Sequence, residues 1–328
     1  MIFVMIYGGN LEGLNNIIGH EKVKEFLDKS LTNNKIANSY IFSGAKGLGK
    51  FRMAKIFAKN LQCDFSDNMP DCCIIDEGGK NIGIDVIREK IINDIVVFPM
   101  QKKYKIYIIK NAQKLTVQAQ NALLKTLEEP PEYAVIILIC NDERKLLDTI
   151  KSRSIILHFV SPSIEEASKC IMDKLEISEE DALMLCKITD CNIGQAKRYS
   201  EIYKNKKIWD EMIHVLIHIY EMKNYELVSF IKKLEDIEKE FFMQLLFCMY
   251  KDMLNYKISH DPNSIILKSI QMQIMNNIKS VSYDYMYASI DSIIKAIERI
   301  EANANIESVM EVLLMNIKEL SCGNSNRG

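Results

Sequence analysis

The chain has 328 residues, enough for two or three domains, with 48% hydrophobic and 26% charged residues, the proportions of a globular protein. A net charge of −2 argues against a surface coated in cations and leaves room only for a local basic stripe. Nine scattered cysteines spell no disulfide framework, and a chain of this size buries a core without staples, so a reducing, cytoplasmic setting is expected.

In chain order, the apolar opening MIFVMIYGG is too short to span a bilayer and reads either as an edge strand or as a stretch ahead of a true start at Met5. No other apolar run reaches membrane length, so no membrane partner is expected. Tyr40-Ile41-Phe42 reads as a buried strand and runs into GAKGLGKF, residues 44–51. Beyond it Ala54, Phe57, Ala58 and Leu61 keep helical spacing. Strand, glycine loop and helix form the context of a G-x-x-x-x-G-K phosphate loop, in which backbone N–H groups close around phosphate oxygens. Gly44, Gly47, Leu48, Gly49, Lys50 and Phe51 are the candidate nucleotide-binding residues. Lys50 would reach the outer phosphates. Position 51 normally supplies a hydroxyl to Mg²⁺, and Phe51 has no oxygen to offer.

Further strands are predicted at 105–109, 135–140 and 155–159, with helices at 84–95 and 117–129, the second stopped by Pro130-Pro131. This alternation predicts an α/β domain with a mainly parallel sheet. A nucleotide hydrolase of this design needs two carboxylates after the strand KIYII, one for the metal and one for the attacking water. Lys110 and Asn111 stand there and can do neither task. Asp85 and Asp142 are the nearest acidic alternatives, and nothing in the sequence places them at the loop.

After VSPS, residues 160–163, no strand is expected. Short helices are predicted at 165–175, 179–187 and 193–203, and longer amphipathic ones at 209–222, 226–256, 264–280, 284–302 and 307–320. The expected organisation is an α/β domain over 1–160, a small helical domain over 161–205, a helical bundle over 206–320 and a disordered tail over 321–328. His20, His158, His214, His218 and His260 form no motif; His214 and His218 share a helix face, and two ligands do not make a metal site.

The segments IIGHEKVKEFL (17–27), SYIFSGAKGLGK (39–50), NALLKTLEEPP (121–131) and KSRS (151–154) resemble the clamp-loader branch of the AAA+ ATPases. The likeness is sharp over 17–160 and extends over nearly the whole chain. It implies an AAA+ α/β domain, a helical lid and a C-terminal collar bundle that joins a ring of loader subunits. It also implies a role in placing a sliding clamp on primed DNA during replication, with a motor ATPase and a delta-type subunit as partners. Family members carry Ser-Arg-Cys where this chain has Ser152-Arg153-Ser154, which makes Arg153 an arginine finger acting on a neighbour's nucleotide. Phe51 then implies a subunit that binds ATP or ADP weakly or not at all, and Lys110 and Asn111 one that does not hydrolyse it. The alternative is an active motor subunit of the loader, which would need carboxylates at those positions.

Two departures from the family pattern follow. Of the four-cysteine zinc module only Cys63, Cys72 and Cys73 remain, too few for a tetrahedral site, so no structural zinc is expected. The lid arginine that contacts nucleotide in active members is replaced by Gly194 in CNIGQAKR, with Lys197 and Arg198 as nearby substitutes.

Overall fold

The computed structural model describes residues 13, 17–62, 71–78, 80–100, 103–278, 281–302 and 304–324. The expected strand at 1–9 and Cys63 lie outside them. The chain parts into two compact units, 1–166 and 167–328.

The first unit contains α1 (Glu21–Thr32), β1 (Ser39–Ser43), α2 (Lys50–Gln62), β2 (Cys72–Ile75), α3 (Ile84–Ile87), β3 (Lys105–Ile109), α4 (Val117–Glu128), β4 (Ala134–Cys140), α5 (Asp148–Lys151) and β5 (Ile155–His158). The strands form one parallel sheet in the order β2-β3-β4-β1-β5. Every residue of β1, β3 and β4 is buried, which is why these strands read as unbroken apolar runs. Alternate residues feed two cores. Tyr40, Phe42, Ile106, Ile108, Val135 and Ile137 pack with Met53 and Phe57 of α2 on one face. Ile41, Tyr107, Ile109, Ile136 and Leu138 pack with Ile87, Leu123 and Leu127 on the other. The expected helix at 84–95 is shorter and changes pitch: α3 passes into a π-helical turn over Arg88–Ile92.

The second unit is all-helical, with α6 (Ile164–Leu175) at the junction, then α7 (Glu179–Ile188), α8 (Ile193–Lys204), α9 (Lys206–His218), α10 (Asn224–Lys233), α11 (Asp236–Ser259), α12 (Gln271–Asn277), α13 (Tyr283–Glu301) and α14 (Ile306–Asn324). The expected helix at 226–256 is two helices. Leu234 is extended, and Glu235 opens α11 through a capping box with Glu238, whose carboxylate accepts the Glu235 N–H at 2.7 Å. The expected helix at 264–280 shrinks to α12, preceded by two single 3₁₀ turns. At the other end α14 continues to Asn324, into the stretch expected to be a tail, and 325–328 lie outside the described residues.

Helix α11 is the hub of this unit. Phe241, Phe242, Leu245, Leu246, Met249, Tyr250 and Met253 bury it on all sides, and it packs on α7, α8, α9, α12, α13 and α14. Asp252 is fully buried in it, and one of its carboxylate oxygens accepts the Ile266 and Leu267 N–H groups at 2.9 and 2.8 Å. Burial raises its pKa to about 6, against the two hydrogen bonds and the Lys187 and Lys251 charges, which lower it. The folded chain therefore holds this proton at a pH where the unfolded carboxyl, near 3.8, has lost it. Stability from this group falls as pH rises from about 4 to about 6, by on the order of 2–3 kcal/mol. Urea unfolding of wild type and Asp252→Asn is expected to show wild type gaining on the variant between pH 7 and pH 5; a gap independent of pH would contradict the buried-carboxyl account.

Candidate nucleotide loop and arginine turn

The loop 44–49 joins β1 to α2. Three of its residues take positive φ: Gly44 at 147°, Gly47 at 96° and Gly49 at 79°. At Gly44 the need for glycine is also steric, because a Cβ there would lie 2.2 Å from the Phe159 carbonyl oxygen. Leu48 is buried, and its carbonyl sits 3.0 Å from His20 Nε2. A carbonyl can only accept, so this nitrogen carries the hydrogen and the imidazole is the Nε2–H tautomer. Burial lowers the His20 pKa, which keeps the ring neutral. The ring also stacks at a tilt on Phe159, 4.9 Å between centroids. His20 thus pins the loop from the segment before α1, a role that a search for metal or acid–base motifs does not detect. Its place in IIGHE, inside a stretch that carries the family likeness, was the available signal.

Lys50 is 5% exposed. Its ammonium donates to the Gly44 carbonyl, to the Ala45 carbonyl at 2.6 Å and to Asn141 Oδ1 at 3.2 Å. Burial lowers its pKa to about 8. The charge lies within the loop, where a phosphate oxygen would compete with the two carbonyls for it. Asn141, at the end of β4, is a site residue that the sequence did not single out. The strand order lays β4 beside β1 and so brings it to Lys50.

The two positions that should hold Mg²⁺ meet each other instead. The Lys110 ammonium lies 4.8 Å from the centroid of the Phe51 ring, a cation–π distance. It also pairs with the Asp76 carboxylate at the end of β2; that bond holds the Asp76 pKa below its usual value. A cation resting on an aromatic ring replaces a hydroxyl and a carboxylate that would have coordinated a cation. Asn111 takes a left-handed conformation, φ 53°, and opens a 3₁₀ turn. Asp142 is engaged by Arg144, 2.8 Å from its Nε, and Asp85 lies in the first turn of α3.

Arg153 follows α5 in the turn that leads into β5. Its Nη1 donates to the Thr149 carbonyl at 2.9 Å and to Ser152 Oγ at 3.2 Å. Its Nη2 lies 2.7 Å from Glu128 Oε1 at the end of α4. Ser154 anchors the turn: its hydroxyl donates to the Ile150 carbonyl at 2.9 Å and pairs with the Ser39 hydroxyl at 2.7 Å. Register fixes where this turn sits. Tyr40 pairs with Ile155 and Ser43 with His158, so Arg153 lies beyond the amino end of the sheet while the phosphate loop leaves its carboxyl end. At about 3.3 Å per residue the two are roughly 15 Å or more apart.

The remaining candidates stand on β2 and on the helices of the second unit. Cys72 and Cys73 are neighbours on β2; Cys72 packs with the Phe42 core and Cys73 with the Tyr107 core, on opposite faces of the sheet. They cannot ligate one metal together. Gly194 lies in the first turn of α8, with Lys197 and Arg198 exposed on that helix. The His214 and His218 rings are 4.7 Å apart on α9, and His218 Nδ1 meets Glu221 at 3.0 Å.

A parallel sheet ordered β2-β3-β4-β1-β5, with a glycine loop between β1 and α2 and a buried lysine opening α2, fits an AAA+ α/β domain, and an all-helical unit follows it in the chain. Residues 19–163 match the family described as DNA polymerase III, delta subunit. The DNA polymerase III subunit delta' of Bacillus subtilis is 25% identical over 91% of this chain and 96% of its own length. The DNA polymerase III subunit tau of the same organism is 37% identical over 42% of this chain, which spans only 27% of tau. A DNA polymerase III gamma subunit-related protein from Thermotoga maritima superposes with a TM-score of 0.48 at 19% identity, covering 90% of this chain and 99% of that one. Over residues 19–163 the chain is thus similar to the DNA polymerase III delta subunit family, and over most of its length to a DNA polymerase III delta' subunit. Among the described residues no helix is long and apolar enough to cross a membrane.

Proposed function

We propose that this chain is a non-hydrolysing member of a clamp loader that supplies Arg153 to the nucleotide site of a neighbouring ATPase subunit. The observation that carries the reading is the opposed placement of Arg153 and the phosphate loop at the two ends of the sheet. An arginine there cannot reach its own chain's nucleotide and is presented outward, as a finger in trans requires. The partners in this reading are a motor ATPase and a delta-type subunit, joined through the C-terminal helices, with the sliding clamp and primed DNA reached through the assembly. The lid and collar roles of 161–205 and 206–320 belong to the same proposal, as does a cytoplasmic setting.

The Phe51–Lys110 contact supports the absence of hydrolysis. Coordination of Mg²⁺ needs oxygen ligands, and here a ring and an ammonium occupy the two positions. Calorimetric titration of the isolated chain with ATP is expected to give an affinity that Mg²⁺ changes by less than about two-fold, since the site lacks the metal-bridging groups of a working phosphate loop. Tight binding that appears only with Mg²⁺ would favour the motor-subunit alternative. Co-purification with tau-type and delta-type subunits tests the assembly itself; a chain that remains alone under conditions where those subunits associate would contradict the proposal.

A further inference from the structure

We propose that Glu128 is the positioning residue of the Arg153 finger, an inference that rests on Arg153 acting on a neighbour's nucleotide. The guanidinium carries five N–H groups in a rigid plane. Thr149 and Ser152 accept from Nη1, and Nη2 stands in an ion pair with Glu128, 2.7 Å from Oε1. Nε–H takes part in none of these contacts, which leaves it for a phosphate oxygen. A long side chain loses rotamer entropy when it is fixed. Glu128 removes much of that loss beforehand, because the carboxylate sets the plane of the guanidinium before any nucleotide is met.

The support for Glu128 is itself rigid. Pro130-Pro131 ends α4 just beyond it, so Glu128 stands on the last helical turn. Leu123 and Leu127 bury the inner side of α4 in the sheet core, and the Thr116 side chain caps its first turn. Gln120, 3% exposed, ties the same helix to the segment entering α5: its Nε2 donates to the Lys145 carbonyl at 3.2 Å, and its Oε1 accepts the Leu147 N–H at 2.8 Å. The arginine turn is therefore fastened to α4 at both ends, by Gln120 before α5 and by Glu128 after it. A half-exposed ion pair such as this contributes little to folding, so a purely structural role would leave little to measure.

The test uses the reconstituted loader, with assembly verified by size exclusion. Steady-state kcat and KM for ATP in the presence of primed DNA are compared for wild type, Glu128→Gln, Glu128→Ala, Arg153→Ala and the double variant Glu128→Ala/Arg153→Ala. Glu128→Ala is expected to lower kcat about 10- to 100-fold, the cost of a misplaced catalytic group, with KM unchanged. Glu128→Gln, which keeps an acceptor and loses the charge, is expected to fall between it and wild type. The double variant is expected to match Arg153→Ala alone. A collapse with Arg153→Ala beside a wild-type rate for Glu128→Ala overturns the positioning role and leaves the finger standing. A further loss from Glu128→Ala in the Arg153→Ala background, as large as its loss alone, also overturns it, since the two residues would then act independently. A wild-type rate for Arg153→Ala removes the finger and the inference with it.

Discussion

Replacement of Arg153 by alanine in an assembled loader is expected to lower DNA-stimulated ATP turnover by about 10³-fold or more, the scale on which arginine fingers act in phosphoryl transfer. The transition state spreads charge over the phosphoryl oxygens, and a fixed guanidinium meets it without reorganisation. Arg153→Lys is not expected to rescue the rate. An ammonium lacks the planar fork that here donates to Thr149 and Ser152 while pairing with Glu128. Folding of the chain should be nearly unaffected, because the Glu128 pair is half exposed and such pairs contribute little. A turnover assay alongside a thermal melt separates the two effects. Loss of turnover with an unshifted melt is the expected pattern.

The second large effect falls on stability. Gly44→Ala is expected to destabilise the chain by about 3 kcal/mol or more, because it combines a backbone conformation closed to L side chains with a core clash. The added Cβ would stand 2.2 Å from the Phe159 carbonyl oxygen, and Gly44 has φ 147°. Relief by movement is costly, since the Phe159 N–H donates to the Ser43 carbonyl at 2.7 Å and both residues belong to the β1–β5 seam. Gly78→Ala is the control. Gly78 has φ 61°, and a Cβ added there would meet nothing within 4 Å, so only the left-handed backbone cost of about 1–2 kcal/mol applies. Equal losses in urea unfolding would contradict the steric argument at Gly44.

The strands β1, β3 and β4 were legible because a parallel sheet covered on both faces leaves short unbroken apolar runs, and the edge strand β5 because IIL keeps the same character. The strand β2 was not. CCII is short, it is half exposed at the sheet edge, and its two cysteines suit a metal-ligand reading as readily as a strand. The break between α10 and α11 was hidden for a different reason. Leu234-Glu235 contains no glycine or proline, and the capping box that ends the run is built from glutamates that also fit a helix interior. Within the second unit most helices could be placed, but the central position of α11 could not be read, because a helix buried along most of its faces presents no single face to align.

At the candidate site the loop was legible from its glycine spacing, and Arg153 from the motifs around it. The contacts that give those residues their character were not. Lys110 comes from β3 and Phe51 from the helix after β1, and only the sheet order sets them side by side. Asn141 reaches Lys50, and Glu128 reaches Arg153, through the same three-dimensional placement. Sequence reasoning found the missing metal ligands one at a time. The fold joins them into a single ammonium–ring contact.

The measurement that tests the account most directly is ATP turnover by a tau-type motor subunit from the same organism as this chain is added to it, with a delta-type subunit and primed DNA present. The account predicts no MgATP hydrolysis by this chain alone, and a motor rate that rises with added chain to a plateau at a fixed ratio of subunits. Hydrolysis by the isolated chain at a rate comparable with the assembled loader, or a motor rate indifferent to saturating chain, would contradict it.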